Sequence, residues 1–182
     1  EAGIYFTNVG NSTIRDVNAS IDYYGIYLSS SSQNNISAIT ANSNTLRGLH
    51  ITGSSSSTLS QINTRSNSDT GIYLISSSNS NTITNITANS NSAHGIYIDT
   101  VSSNNLSFIT ANSNNNYGLY LLTSSSNNLS FITANSNDYG LFIISSSSNT
   151  LTNITANSNS LSGLYLQSSS SNNISQVTAN SN

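Results

Sequence analysis

A glycine opens the same short phrase eight times along this chain, at positions 3, 25, 48, 71, 95, 118, 140 and 163. The intervals are 22, 23, 23, 24, 23, 22 and 23 residues, and each glycine leads an apolar–aromatic–apolar triplet such as GIYL, GLYL or GLFI. A second phrase, TANSN, recurs at 40, 87, 110, 133, 155 and 178. A unit of this length cannot bury a hydrophobic face alone. Stacking of successive units is what builds a core, so the period dictates a solenoid.

Within a unit the apolar residues alternate, which is the period of a β-strand. In the triplet, Ile26 and Leu28 face one way and Tyr27 the other. In the second phrase Ile39, Ala41 and Ser43 are expected inside, with Thr40, Asn42 and Asn44 outside. Ile21, in the Ser43 slot, is expected inside and Arg65, in the Asn42 slot, outside. Helices are excluded because Ser, Asn, Thr and Gly are modest or poor helix formers. Consecutive hairpins are excluded because no Asn-Gly or Asp-Gly turn occurs. Disorder, suggested by 43 Ser and 32 Asn, is opposed by the regular placement of the 35% apolar residues and the absence of Pro. The expected architecture is all-β: a parallel β-helix of eight coils, about three short strands per coil, stacked at ~4.8 Å. It spans 1–182 as a single domain with no linker and no capping unit.

Units such as GIYLISSSNSNTITNITANSNS (71–92) resemble the NosD-like parallel β-helix repeats found in surface and secreted proteins of methanogen-type archaea. The resemblance covers essentially the whole chain. It implies a right-handed coil and raises copper as a ligand.

The residues themselves offer little for catalysis or metal. Glycoside hydrolysis requires two carboxylates ~5–9.5 Å apart. Of the six here, Glu1, Asp69 and Asp138 share a column three coils apart, while Asp16, Asp22 and Asp99 lie on other edges. There is no Cys or Met, and His50 and His94 fall in different columns about two coils apart, roughly 10 Å. No Ser–His–Asp arrangement and no G-x-S-x-G occur. The expectation is therefore no enzyme, no cofactor and no metal. A net charge of −3 gives no reason for nucleic acid, and no apolar run is long enough for a membrane span.

Three outward features remain. The triplet centres form an aromatic column, Tyr5, Tyr27, His50, Tyr73, Tyr97, Tyr120, Phe142 and Tyr165, suited either to packing or to holding sugar rings. Glycosylation sequons stand at Asn11, Asn18, Asn35, Asn85, Asn105, Asn128, Asn153 and Asn173, where alternation turns most of the Asn side chains outward. Finally, the chain starts on a triplet and stops on TANSN, so that a second copy would continue the repeat in phase. Head-to-tail contact would join Leu164, Tyr165, Leu166, Ile174, Val177 and Asn182 to Glu1, Ile4, Tyr5, Phe6, Ile14 and Val17 of the next copy. The functional expectation is a non-enzymatic extracellular or cell-surface protein, self-assembling into a filament, sheath or surface layer. The alternatives are a carbohydrate-binding adhesin using the Tyr column and, third, an ice- or surface-binding protein.

Overall fold

The computed structural model describes all 182 residues as a stack of eight coils built from sixteen short strands. One sheet holds β1 (Ala2–Thr7), β3 (Tyr24–Ser29), β5 (Arg47–Thr52), β7 (Ile72–Ile75), β9 (Ile96–Asp99), β11 (Tyr117–Leu122), β13 (Tyr139–Ile144) and β15 (Ser162–Gln167). The other holds β2 (Thr13–Asn18), β4 (Asn35–Thr40), β6 (Thr58–Asn63), β8 (Thr82–Thr87), β10 (Asn105–Thr110), β12 (Asn128–Thr133), β14 (Thr150–Thr155) and β16 (Asn173–Thr178). Every pairing is parallel and joins equivalent residues of adjacent coils, as in Tyr120↔Phe142 and Ile109↔Ile132. No helix is long and apolar enough to cross a membrane.

The parallel solenoid follows the repeat, but each coil carries two strands, not three. The third side is turn structure held by side chains. Ser31, Ser54 and Ser78, and on the same side Asn81, Asn104, Asn127 and Asn149, point inward and are buried. The Ser31 N–H donates to Ser54 Oγ at 2.8 Å and the Asn104 N–H to Asn127 Oδ1 at 2.9 Å. Side-chain acceptors thus replace the carbonyls of a third sheet, which satisfies the buried backbone without extended geometry.

Alternation also fails at TANSN. Ser43 has φ 54° and is exposed, while Asn44 is fully buried. The left-handed residue turns the chain and inverts the inside–outside order beyond it. Ile21, in the equivalent slot with φ 68°, is 84% exposed, contrary to the inward expectation. Arg65 is exposed as expected. The buried residues Asn44, Asn67, Asn91, Asn114, Asn137 and Asn159 then form a ladder that continues to exposed Asn182. Each side-chain amide donates to the Oδ1 of the next at 2.9–3.4 Å.

Between the sheets runs one continuous core of 32 buried residues. The inner Ile and Leu columns are as the sequence implies: Ile26, Leu49, Ile72, Ile96, Leu119 and Leu141 are all 0% exposed. This core is what aligns the outward side chains of the first sheet into straight rows.

Candidate functional site

The outward face of the first sheet carries the chemistry. The expected column from Tyr5 to Tyr165 is present, its members stepping from strand to strand. Tyr73 stacks on Tyr97 with centroids 4.7 Å apart and planes 10° apart, and Phe142 on Tyr165 at 4.8 Å and 7°. Beside it stands a second column that strict alternation conceals: Tyr24, Arg47, His94, Tyr117 and Tyr139, each directly before a repeat glycine, with Thr70 in the same slot fully buried. Gly25 and Ile26 are both buried, so the chain bends at the glycine and the residue before it turns outward. The rings of the two columns interlock, with Tyr117 4.8 Å from Tyr120 and 4.7 Å from Phe142.

Mid-stack, the aromatic rows are interrupted by polar groups. Arg47 Nε donates to Asp69 Oδ2 at 2.8 Å, its Nη1 lies 3.2 Å from His50 Nδ1, and its guanidinium carbon sits 3.5 Å from the Tyr73 ring centroid. Arg47 and Asp69 are one coil apart in sequence, and their side chains are only 17% and 26% exposed. Asp69 is therefore half of a partly buried ion pair, further tied by Thr70 Oγ1 donating to Asp69 Oδ1 at 3.1 Å. Because the guanidinium can only donate, His50 Nδ1 must accept and the ring proton lies on Nε2. That Nε2 is buried without a partner, as is Nδ1 of His94. His94 lies against Tyr117 at 4.9 Å and Tyr97 at 5.6 Å.

Burial dominates the titration of this cluster. It lowers His50 to about 4, with the Arg47 charge acting in the same sense, and lowers His94 as well. Tyr97 is pushed up to about 12, first by burial and then by the Asp99 carboxylate. At neutral pH the face thus offers uncharged imidazoles beside protonated phenols.

The His50 shift carries a stability consequence. Above its ordinary value of 6.5 the ring is neutral in folded and unfolded chains alike. As pH falls from 6.5 toward about 4, the unfolded chain takes up a proton that the folded one refuses, so stability is lost across that window. The full shift corresponds to about 3 kcal/mol, which solvent screening reduces to about 2 kcal/mol. Urea unfolding of His50→Phe should lack most of this pH dependence. An unchanged profile would refute the assignment.

The other sequence candidates do not converge on this face. Asn11, Asn18, Asn35, Asn85, Asn105, Asn128 and Asn173 are exposed and Asn153 is half-buried, with all but Asn11 on the second sheet. Asn128 Nδ2 donates to Asn105 Oδ1 at 3.1 Å, so these two sequons occupy each other. Glu1, Ile4, Tyr5, Phe6, Ile14 and Val17 lie on the first coil, at the opposite end of the stack from Leu164, Tyr165, Leu166, Ile174, Val177 and Asn182.

A two-sheet parallel stack with a decorated outer face defines the β-helix class of proteins. The chain matches the family described as Periplasmic copper-binding protein (NosD) over residues 1–149 and again over 86–182, and it belongs to that family. The description places the family outside the cytoplasm. No curated protein sequence matches the chain. Among solved structures it is similar to a double mutant of the periplasmic alginate epimerase AlgG, at TM-score 0.82 and 16% identity, covering 91% of this chain and 50% of that one. The A-module of the Azotobacter vinelandii mannuronan C-5 epimerase AlgE4 is similar at TM-score 0.67 and 16% identity, over 80% of this chain and 43% of that one. The catalytic domain of a GH87 alpha-1,3-glucanase is similar at TM-score 0.59 and 12% identity, over 92% and 47%. The chain spans about half the length of these structures.

These likenesses overturn the expectation of a non-enzymatic structural filament. The same coil stack forms much of epimerases and a glucanase, so regular repeats do not point to an inert fibre or exclude catalysis. The physical reason lies in the columns: fixing the inward residues leaves each outward position free, and here Arg47, Asp69, His50 and His94 use that freedom.

Copper, named in the family description, finds no fitting donor set in this chain. No three His, Cys, Asp or Glu residues come together to hold an ion. The two imidazoles with unpartnered nitrogens belong to different columns, two coils and roughly 10 Å apart. His50 Nδ1 is already engaged by Arg47.

Proposed function

We propose that this chain is the polysaccharide-engaging β-helix of an extracytoplasmic carbohydrate-active protein, and that an acidic sugar chain lies lengthwise on the first sheet. The observation that carries this reading is the double row of aromatic rings interrupted mid-stack by Arg47, Asp69, His50 and His94. Flat ring faces and edges suit sugar rings. Arg47 keeps N–H groups beyond those used by Asp69 and His50, so it can meet the carboxylate of a uronic residue.

The cluster favours proton transfer over hydrolysis. Asp69 is the carboxylate that reaches these imidazoles, and it is engaged by Arg47, so a free carboxylate pair is not assembled. His94, held neutral by burial, can accept a proton from the carbon beside a sugar carboxylate, and protonated Tyr97 can donate one. Epimerisation or elimination of a polyuronate are the reactions such a pair serves. The epimerase neighbours support the same substrate class.

The test is binding and product analysis on polyuronates beside neutral glucans. Replacing Tyr73, Tyr97 and Tyr120 together by Ser should weaken polyuronate binding by at least about tenfold, or 1.4 kcal/mol. His94→Ala should remove turnover while leaving binding nearly intact. Because His94 stays neutral below the ordinary histidine range, wild-type turnover should persist as pH falls below 6.5. Polyuronates that neither bind nor change in their proton spectra would sink this reading.

A further inference from the structure

The second sheet holds an aromatic feature that the first-sheet reading leaves unused. Phe108 and Phe131, one coil apart, stack face to face with centroids 4.8 Å apart and planes 3° apart, and they are 55% and 50% exposed. Both have φ 53°, the left-handed region that bulky side chains rarely adopt. Every second-sheet strand is left-handed at this position, but elsewhere the slot holds Asp16, Ala38, Gln61, Asn85, Asn153 or Gln176. Bulky phenylalanines are an uncommon choice for this backbone, and they face away from the core, so packing does not account for them.

Phe131 borders a trough of about 550 Å³ running along the stack. One side is the column of Phe131, Asn153 and Gln176, and the other is Thr133, Thr155 and Thr178. Ile154 and Val177 lie between, and no charged side chain lines it. It is an open surface trough rather than an enclosed cavity. Phe108 covers one face of the Phe131 ring, and the next residue in the column on the other side is Asn153.

We infer that this trough is a second saccharide site that takes an uncharged sugar unit. The sugar's C–H face packs against Phe131 and its hydroxyls meet the Asn153 and Gln176 amides and the threonine hydroxyls. An aromatic surface with neutral donors and acceptors, and no cation, matches a neutral hexose and disfavours a uronate, which would find no countercharge. The site is independent of the first sheet, and either reading can fail without the other.

Amide NMR of the intact chain, titrated with maltotriose, laminaritriose and chitotriose, tests the inference. With at least one of them, shifts should be confined to the Asn153 and Gln176 side-chain amides and the backbone near Thr155 and Thr178. Phe131→Ser should weaken this binding by at least about tenfold, and Phe131→Tyr should restore it, with polyuronate binding unchanged in both. Should Phe131→Ser fail to fold, Phe131→Leu keeps apolar bulk without a ring face and should weaken binding likewise. Absence of shifts at about 20 mM sugar, enough to fill any site of millimolar or tighter affinity, would overturn the inference. So would shifts that persist undiminished in Phe131→Ser. A concentration-dependent dimer that Phe131→Ser dissolves would name a second copy of the chain as the occupant and also overturn it.

Discussion

Asn114→Ala should lower the unfolding free energy by about 3 kcal/mol, although it removes one amide from a chain containing 32 asparagines. Asn114 is 2% exposed, and its Oδ1 accepts from both the backbone N–H and the Nδ2 of Asn91, each at 3.0 Å. Its own Nδ2 donates to Asn137 Oδ1 at 3.2 Å. Alanine leaves the Asn91 N–H without an acceptor in a corner closed to solvent, where Asn91 itself is 1% exposed. Asn91 Nδ2 keeps Thr64 O at 3.1 Å, so one orphaned backbone donor, two lost ladder bonds and a small void make up the cost. Asn114→Asp should be worse, because it buries a carboxylate and removes the donor to Asn137. Asn116→Ala, at an exposed side chain two residues on, should change stability by less than about 0.5 kcal/mol. Urea denaturation of the three variants decides the matter; equal stability for Asn114→Ala and Asn116→Ala would show the ladder to be ornamental.

That contrast between two asparagines explains how much of the molecule the sequence discloses. The coil stack, the parallel register and the inner Ile and Leu columns follow from spacing, because a 23-residue period has few ways to bury its apolar face. The corners do not follow from spacing. Alternation is a rule for extended backbone, and a single left-handed residue breaks it without changing the repeat. Ser43 inverts the order so that Asn44 enters the core, and Ile21 is turned out into solvent by the same conformation. The bend at each repeat glycine does likewise for Tyr24, Arg47 and His94, hiding the second column from a period-two reading. One signal for the polar cluster was present: Arg47 and Asp69 are 22 residues apart, which brings opposite charges onto adjacent coils. Phe108 and Phe131 were visible as the aromatic member of the repeated NLSFIT, but only the backbone angle reveals them as costly.

Gly118→Val tests whether that glycine bend is what holds the aromatic face in place. A Cβ on Gly118 would lie 2.7 Å from the Ala134 Cβ, 2.7 Å from the Gly140 carbonyl oxygen and 2.9 Å from the Ala111 carbonyl oxygen. None of these is the free end of a flexible side chain. Gly140 belongs to the next coil and Ala134 to the corner leading into it, so relief requires the coils to separate and the Leu119↔Leu141 pairing beside them to loosen. Valine adds two further methyl groups to the same space, and the expected loss is about 3 kcal/mol or more. Gly10 supplies the contrast: a Cβ there meets only the Ser32 carbonyl oxygen at 3.1 Å, and Gly10→Ala should be tolerated. The loss at Gly118 should not be confined to stability. Tyr117 precedes this glycine and is held 4.8 Å from Tyr120 and 4.9 Å from His94 only while the chain bends tightly there. Under conditions where Gly118→Val remains folded, the His94 and Tyr117 ring resonances should shift and polyuronate binding should weaken. Asn114→Ala, which breaks the buried ladder between Asn91 and Asn137, should lose stability while keeping the ring resonances. If Gly118→Val instead matches the wild type in both stability and ring environment, the glycine column is not what sets the geometry of the face.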